Sequence, residues 1–422
     1  MTRRPQAPRA EPPARLELAR RHRDLLEPAE REALAGAVRT LLSRPTAPYA
    51  EDFQVEAVRE FAAERPGLEL ARDEHANLLV LWPGRGRGRP AGLLAFSAHL
   101  DHPGFHYEGV RGGRRRARFH GGVPARAMPG ATVRFFDPHS GETCATARVG
   151  SVSRARDGGL VAAFTRWSGS ARRGALGMWD LPAFELRGGR LQARVCDDLL
   201  GAAVTLALLD RLCAERHPQP VLGIFTRAEE TGFVGCQGLL RSRALPSGTT
   251  VVGLECSPRR ATARVGRGPV IRVGDAATIF EPSITHHLQE AAARLAQRAS
   301  SFRFQRALMD GGRCESTAYN LWGVPAGGLC LALGNYHNVA DSGPRKGRIA
   351  PELVAWSDLE GLLALMLETS RGWGRGEPRA RMKARLDAVW EAEKGRLASS
   401  TARVSACAGS QLERGTREGS RR

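Results

Sequence analysis

The stretch DDLLGAAVTLALLDRLCAERHPQPVLGIFTRAEETGFVG, Asp197 to Gly235, decides the fold. "DDLLGAAVTLALLDRLCAE" reads as a helix opened by two aspartates, and "QPVLGIFTRAEE" reads as a buried strand. "EETGFVGCQGLLRS" then starts a second helix. Helix, strand and helix in close succession are the repeating unit of a parallel sheet covered by helices.

The same alternation continues on both sides. Upstream, "EDFQVEAVREFAAERP" (51–66) is a helix ended by Pro66, after an amphipathic helical pattern from Leu16 to Leu42. "ANLLVLWPG" and "AGLLAFSAHLD" are short apolar strands. Downstream, "TTVVGLECS", "PVIRVGD" and "PAGGLCLALGNYHN" are strands, with helices at "SITHHLQEAAARLAQRA", "TAYNLWG" and "APELVAWSDLEGLLALMLETS". Between Pro103 and Gly189 the helical period disappears. Short strand-like pieces such as "ATVRFFD", "GLVAAFTRW" and "PAFELRGG" are separated there by Gly, Pro and Asp. The expected fold is α/β, with a largely parallel mixed sheet, helices on both faces and an inserted small all-β, barrel-like domain. The expected boundaries are a disordered tail at 1–15, one discontinuous domain over 16–102 and 190–371, the inserted domain at 103–189 and a basic tail at 372–422.

Composition narrows the function classes. The 422 residues carry a net charge of +19, almost all of the positive charge being arginine, since the only lysines are Lys346, Lys383 and Lys394. The excess reads as dispersed, with concentrations at both ends, and aromatic residues make up 6%, so nucleic acid is not the expected partner. The eight cysteines form no C-x-x-C pair and several sit in apolar runs, which fits a reducing compartment. No secretory leader and no membrane-spanning run are visible, so a cytoplasmic location without a membrane partner is expected.

Four strands deliver a metal-capable side chain at or just beyond their carboxyl ends: His99, the pair Glu229/Glu230, Glu255 and His337. Asp197/Asp198 supply a fifth acidic point at a helix start. Ligand sites in open α/β sheets lie outside those strand ends, so the five points can converge. Two imidazoles and three carboxylates suit two Zn²⁺, Co²⁺ or Mn²⁺ ions with one carboxylate bridging. Hydrolysis of an amide also needs a general base, and a carboxylate beside a ligand carboxylate meets that need. Asp101, two residues beyond His99, is placed to orient that imidazole. Singly, each point has a plainer reading, and Asp197/Asp198 or Glu229/Glu230 could simply cap helices. His102 and His106 are near enough to touch substrate. Cys196, Cys256 and Cys314 read as packing residues.

At these residues the sequence resembles the tetrahedral (glutamyl/deblocking) aminopeptidase family of co-catalytic di-metal peptidases, within the di-zinc aminopeptidase/carboxypeptidase clan. "SAHLDHPGF", "ARVCDDLLG", "RAEETGFVG" and "GVPAGGLCLALGNYHN" carry the resemblance, which runs from about Leu16 to Ser370. It implies that His99 and Glu255 hold one ion, that Glu230 and His337 hold the second, and that Asp197 bridges. It implies Glu229 as the base and Asp101 as the orienting carboxylate. His102 and Leu199 depart from the family pattern. Glu315, in "GGRCEST", stands near where a substrate amine would be bound, and His102 is a second candidate for substrate contact. The resemblance implies a metal-dependent aminopeptidase with two divalent ions, Zn²⁺ first, a peptide or small amide as substrate, and homo-oligomeric assembly. The alternatives are a small-molecule amidase or deacylase of the same clan, and a catalytically degenerate scaffold protein.

Overall fold

The computed structural model describes residues 25–86, 92–375 and 380–418. The expectation of a disordered tail at 1–15 falls outside them. Residues Arg375–Arg422 form a compact unit of their own, and everything that follows concerns the larger unit unless stated.

The chain opens with helices α1 (Pro28–Ser43) and α2 (Asp52–Ala63), then strands β1 (Glu69–Arg72), β2 (Leu78–Trp82) and β3 (Leu93–His99). Six strands follow, β4 (Gly104–Arg111), β5 (Arg114–His120), β6 (Thr132–Phe136), β7 (Thr143–Arg154), β8 (Leu160–Gly169) and β9 (Leu176–Trp179), and close into an antiparallel barrel. A ribbon of β10 (Glu185–Arg187) and β11 (Arg190–Ala193) leads back to helix α3 (Leu199–Ala214) and strand β12 (Val221–Thr226). Then come α4 (Val234–Arg241), β13 (Thr249–Pro258), β14 (Val270–Asp275), α5 (Pro282–Arg298), β15 (Gln305–Met309), α6 (Glu315–Leu321) and β16 (Ala326–Leu333). Strand β17 (Glu352–Ala355) and helix α7 (Trp356–Gly372) complete the unit.

The eight-stranded sheet has the order β1-β2-β12-β3-β13-β16-β14-β15. Its centre, β12-β3-β13-β16, is parallel, and antiparallel pairings occur only towards the two sides. Register aligns the carboxyl ends of the central strands, with Thr226 opposite His99 and Glu255 opposite Cys330. The two-residue period of β3 sorts its side chains. Leu94, Phe96 and Ala98 join the core that contains α1, α3, α5 and α7, while Ala95 joins the core containing α4 and α6. Helix α3 is buried on nearly every side, which is why its sequence is apolar all round. Each fully buried leucine in it contributes about 1.5–3 kcal/mol.

The barrel has a separate aromatic core. Phe105 sits edge-to-face against Phe119 at 4.8 Å and against Trp179 at 5.0 Å, and Phe135 against Phe164 at 5.3 Å.

Four features add to or differ from the sequence reading. Strand β10, read as part of the inserted module, pairs with β11 and through it joins β17 in a three-stranded sheet outside the barrel. Residues 352–355, read as the start of the last helix, are that partner strand. The basic tail contains a helix, α8 (Ala380–Glu418), among its described residues. The positive charge, read as dispersed with concentrations at both ends, has a further concentration in the barrel. Residues 104–179 hold thirteen arginines against four acidic residues, a net of +9 within the +19 of the chain.

Candidate active site

Strands β3, β12, β13 and β16 bring side chains to the carboxyl edge of the sheet, and the segment between β11 and α3 brings Asp197. The loop after β12 turns through Ala228 (φ 50°), a short 3-10 turn at Glu229–Thr231, and Phe233 (φ 60°). The loop after β16 turns through Asn335, His337 and Asn338, all at positive φ. Left-handed backbone at non-glycine residues costs about 1–2 kcal/mol each, so the surroundings must hold it in place. Buried carboxylates do so. Glu51 accepts the amide of Ala228 at 2.9 Å and is paired with Arg227 at 2.8 Å. Asp101 accepts the amides of Glu229 at 2.9 Å and Glu230 at 3.1 Å. Glu352 accepts the amides of Cys196 at 2.6 Å, Asp197 at 3.2 Å and His337 at 2.8 Å.

The side chains so positioned form two adjoining clusters, His99–Glu229–Glu255 and Asp197–Glu230–His337. In each, one ligand-capable atom per residue lies within 4.8 Å of the others. Asp197 lies between the imidazoles, with Oδ1 3.7 Å from His99 Nε2 and Oδ2 3.6 Å from His337 Nε2. Glu229 Oε2 is 4.0 Å from His99 Nε2, and Glu230 Oε1 is 3.1 Å from His337 Nε2. The far nitrogens face away from the cluster. His99 Nδ1 lies 3.2 Å from the Asp101 carbonyl and 3.5 Å from its carboxylate, and His337 Nδ1 lies 3.2 Å from the Gly122 carbonyl. Each imidazole therefore aims Nε2 at the carboxylates. The adjacent acids part company: Asp197 faces the histidines, while Asp198 accepts the Gly201 amide and caps α3. The peptide bond between them is cis.

Electrostatics across the clusters are strained. Burial alone would lower the proton affinity of His99 and His337, but Glu229, Glu230, Asp101 and Asp197 outweigh it and raise both well above the ordinary imidazole value. Burial, reinforced by neighbouring carboxylates, pushes Glu229 and Glu255 well up. Asp197 is held below the ordinary range: burial opposes this, and the two imidazoles overcome it. So many carboxylates crowded out of water call for positive charge. A divalent cation would supply it and displace the protons. Glu230 Oε1 is placed to serve as a ligand atom, because it is buried, 3.1 Å from His337 Nε2, and makes no other contact that satisfies it. The nitrogen and oxygen donors match what Zn²⁺ and similar ions accept.

The structure thus brings His99, Asp101, Asp197, Glu229, Glu230, Glu255 and His337 together. Glu315 lies deeper, 4% exposed, with Oε2 accepting the Ser97 hydroxyl at 3.1 Å. Burial raises its carboxyl to about 7. His102, expected to touch substrate, is instead committed within the protein: its Nδ1 meets the Asp197 carbonyl at 2.8 Å and its Nε2 meets Asn338 Oδ1 at 2.9 Å. It ties the two ligand loops together. Glu51, Glu352 and Asn338 were not singled out from the sequence. Each acts on backbone far away in the chain, and no local pattern marks such a residue.

The profile of the M42 glutamyl aminopeptidase family matches residues 171–342, a span that contains Asp197, Glu229, Glu230, Glu255 and His337. No curated protein sequence matches the chain. Among solved structures, an aminopeptidase from the archaeon Desulfurococcus kamchatkensis is similar, with 19% identity and a TM-score of 0.65, over 83% of this chain and 96% of that one. The TET1 peptidase of Pyrococcus horikoshii gives 18% identity and a TM-score of 0.64, over 80% and 99%. Yeast aminopeptidase 1 gives 11% identity and a TM-score of 0.57, over 82% and 98%. The family match over residues 171–342 and the shared fold agree with the resemblance to the tetrahedral aminopeptidases read from the sequence.

Proposed function

We propose that the chain is a metal-dependent aminopeptidase that hydrolyses the amino-terminal bond of a peptide, with two divalent ions, Zn²⁺ first, held by the paired clusters. The observation that supports this most is Asp197, whose two oxygens each face a different imidazole. In this reading His99 and Glu255 would hold one ion, Glu230 and His337 would hold the other, and Asp197 would serve both. Bound there, the ions would polarise the scissile carbonyl and acidify the attacking water. Glu229 takes a proton from that water and passes it to the leaving amine. Asp101 fixes the backbone of both glutamates and the His99 ring, which keeps base and ligand apart. Residues 16–102 and 190–371 would form the catalytic domain around the inserted module. Homo-oligomeric assembly is also proposed, since the TET1 peptidase of Pyrococcus horikoshii can assemble into a tetrahedron or a large octahedral shell.

A substrate panel tests the reading. Aminoacyl anilides and short peptides should be cleaved, N-acyl amino acids should not, and Glu229→Gln should lower kcat by about 10²–10⁴-fold while metal content stays the same. Cleavage of N-acyl amino acids alone would favour a deacylase. Unchanged kcat in Glu229→Gln would remove the base from the mechanism.

A further inference from the structure

The barrel carries an arginine-lined groove of about 990 Å³ on its outer face, bordered by β4, β5, β8 and the β7–β8 turn. Six arginines line it: Arg111, Arg116, Arg118, Arg154, Arg156 and Arg173. The only acids on its walls are Glu108 and Asp157, and both are occupied by Arg118. Arg111, Arg116, Arg156 and Arg173 have no acidic partner among the described residues, and Arg116 Nε is buried with no hydrogen bond. An unneutralised row of guanidinium groups along a concave surface attracts anions and concentrates them there.

The groove is joined to the active site by a strand. On β5, Ala117 and Phe119 face the barrel core, so Arg114, Arg116, Arg118 and His120 share the outer face. His120 packs edge-on against Tyr49 at 5.5 Å, and the Tyr49 hydroxyl lies 2.8 Å from the Thr231 hydroxyl, next to Glu230. Two residues after His120, the Gly122 carbonyl meets His337. At about 3.3 Å per residue, Arg118 and Arg116 lie roughly 13–20 Å from that contact.

We propose that the groove is a docking site for the acidic downstream segment of a polypeptide substrate whose amino terminus occupies the active site. This rests on the peptidase reading and adds a substrate class to it. The active site takes the amino terminus and the arginine groove takes acidic side chains, which sets the direction in which the peptide lies. An extended peptide advances about 3.3–3.6 Å per residue, so the preferred acidic residues fall roughly four to six positions beyond the scissile bond. No aromatic ring lines the groove, so nothing there stacks a nucleobase, and a peptide fits better than a single-stranded nucleic acid.

The test uses two fluorescently labelled peptides with the same first four residues, followed by a run of glutamates in one and glutamines in the other. Anisotropy at low salt should show the acidic peptide binding on the order of 10-fold tighter, with the advantage vanishing as salt rises. In Arg156→Glu/Arg173→Glu, and separately in Arg116→Gln, the ratio of the two affinities should fall towards one while the melting temperature holds. The ratio of kcat/KM for the two peptides should follow the same pattern. Equal binding of both peptides to the wild type, or an acidic preference that survives both variants, overturns the proposal. So does a single-stranded oligonucleotide that binds more tightly than the acidic peptide. Groove-dependent binding without cleavage of either peptide supports the docking site and counts against the peptidase reading, so the two can fail separately.

Discussion

Glu352→Gln is an informative perturbation, because Glu352 touches no substrate and yet three backbone amides depend on it. One oxygen accepts Cys196 and Asp197, and the other accepts His337. Glutamine keeps the shape but offers one oxygen, so its NH₂ group must face either the His337 amide or the Cys196/Asp197 pair. Each hydrogen bond to a charged acceptor is worth about 1.5–3 kcal/mol, and one or two are lost. If about 2 kcal/mol of that falls on the alignment of Asp197 with His337, metal affinity drops about 30-fold. That lies within the roughly 10–100-fold range typical of residues that position metal ligands. Competition of Zn²⁺ between the protein and a chromophoric chelator reads the affinity, and a melting curve reads stability separately. Unchanged affinity beside a lowered melting temperature would refute the reasoning, since Glu352 would then hold the fold and not the ligands.

Glu315→Gln tests the buried acid behind the site. The Glu315 carboxyl titrates near 7 in the folded chain against an ordinary 4.5, chiefly through burial, so the folded state binds its proton more tightly than the unfolded chain does. Its contribution is fully present below about 4.5 and is lost as pH rises towards 7, by about 3 kcal/mol at 1.36 kcal/mol per unit. Denaturant titration of metal-free protein at the two pH values should show that loss in the wild type and a smaller one in the variant; an equal loss in both would assign it elsewhere. Phe135→Ala should cost about 3–5 kcal/mol, because Phe135 is fully buried among Tyr107, Phe164 and Trp167. A shift in melting temperature below a few degrees would mean that the barrel core does not limit stability.

The legible parts of the molecule were those written in local pattern. Apolar runs closed by polar residues located the central strands, and the residues just past them, His99, Glu229, Glu230 and His337, are where the site assembles. The positioning residues were not legible for a physical reason. Glu352 acts on Asp197 and His337 through backbone amides, across 155 and 15 residues of chain. A lone glutamate in a short apolar strand carries no trace of that. His102 was misjudged because proximity in sequence to His99 suggested substrate, whereas tertiary folding gave both of its nitrogens to Asp197 and Asn338. Strand β10 was placed in the inserted module because the pairing of β11 with β17, about 160 residues further on, leaves no sequence signal. The arginine excess looked dispersed along the chain, and only closure of the barrel gathers six of those residues around one groove.

Metal stoichiometry tests the central claim most directly. Purified protein stripped with chelator, reloaded with Zn²⁺ and freed of excess ion should retain two equivalents per chain by elemental analysis. Replacing His337 with alanine should reduce that towards one and remove peptide cleavage. Retention of less than one equivalent by the wild type, or of two by a variant lacking both His99 and His337, would contradict the account.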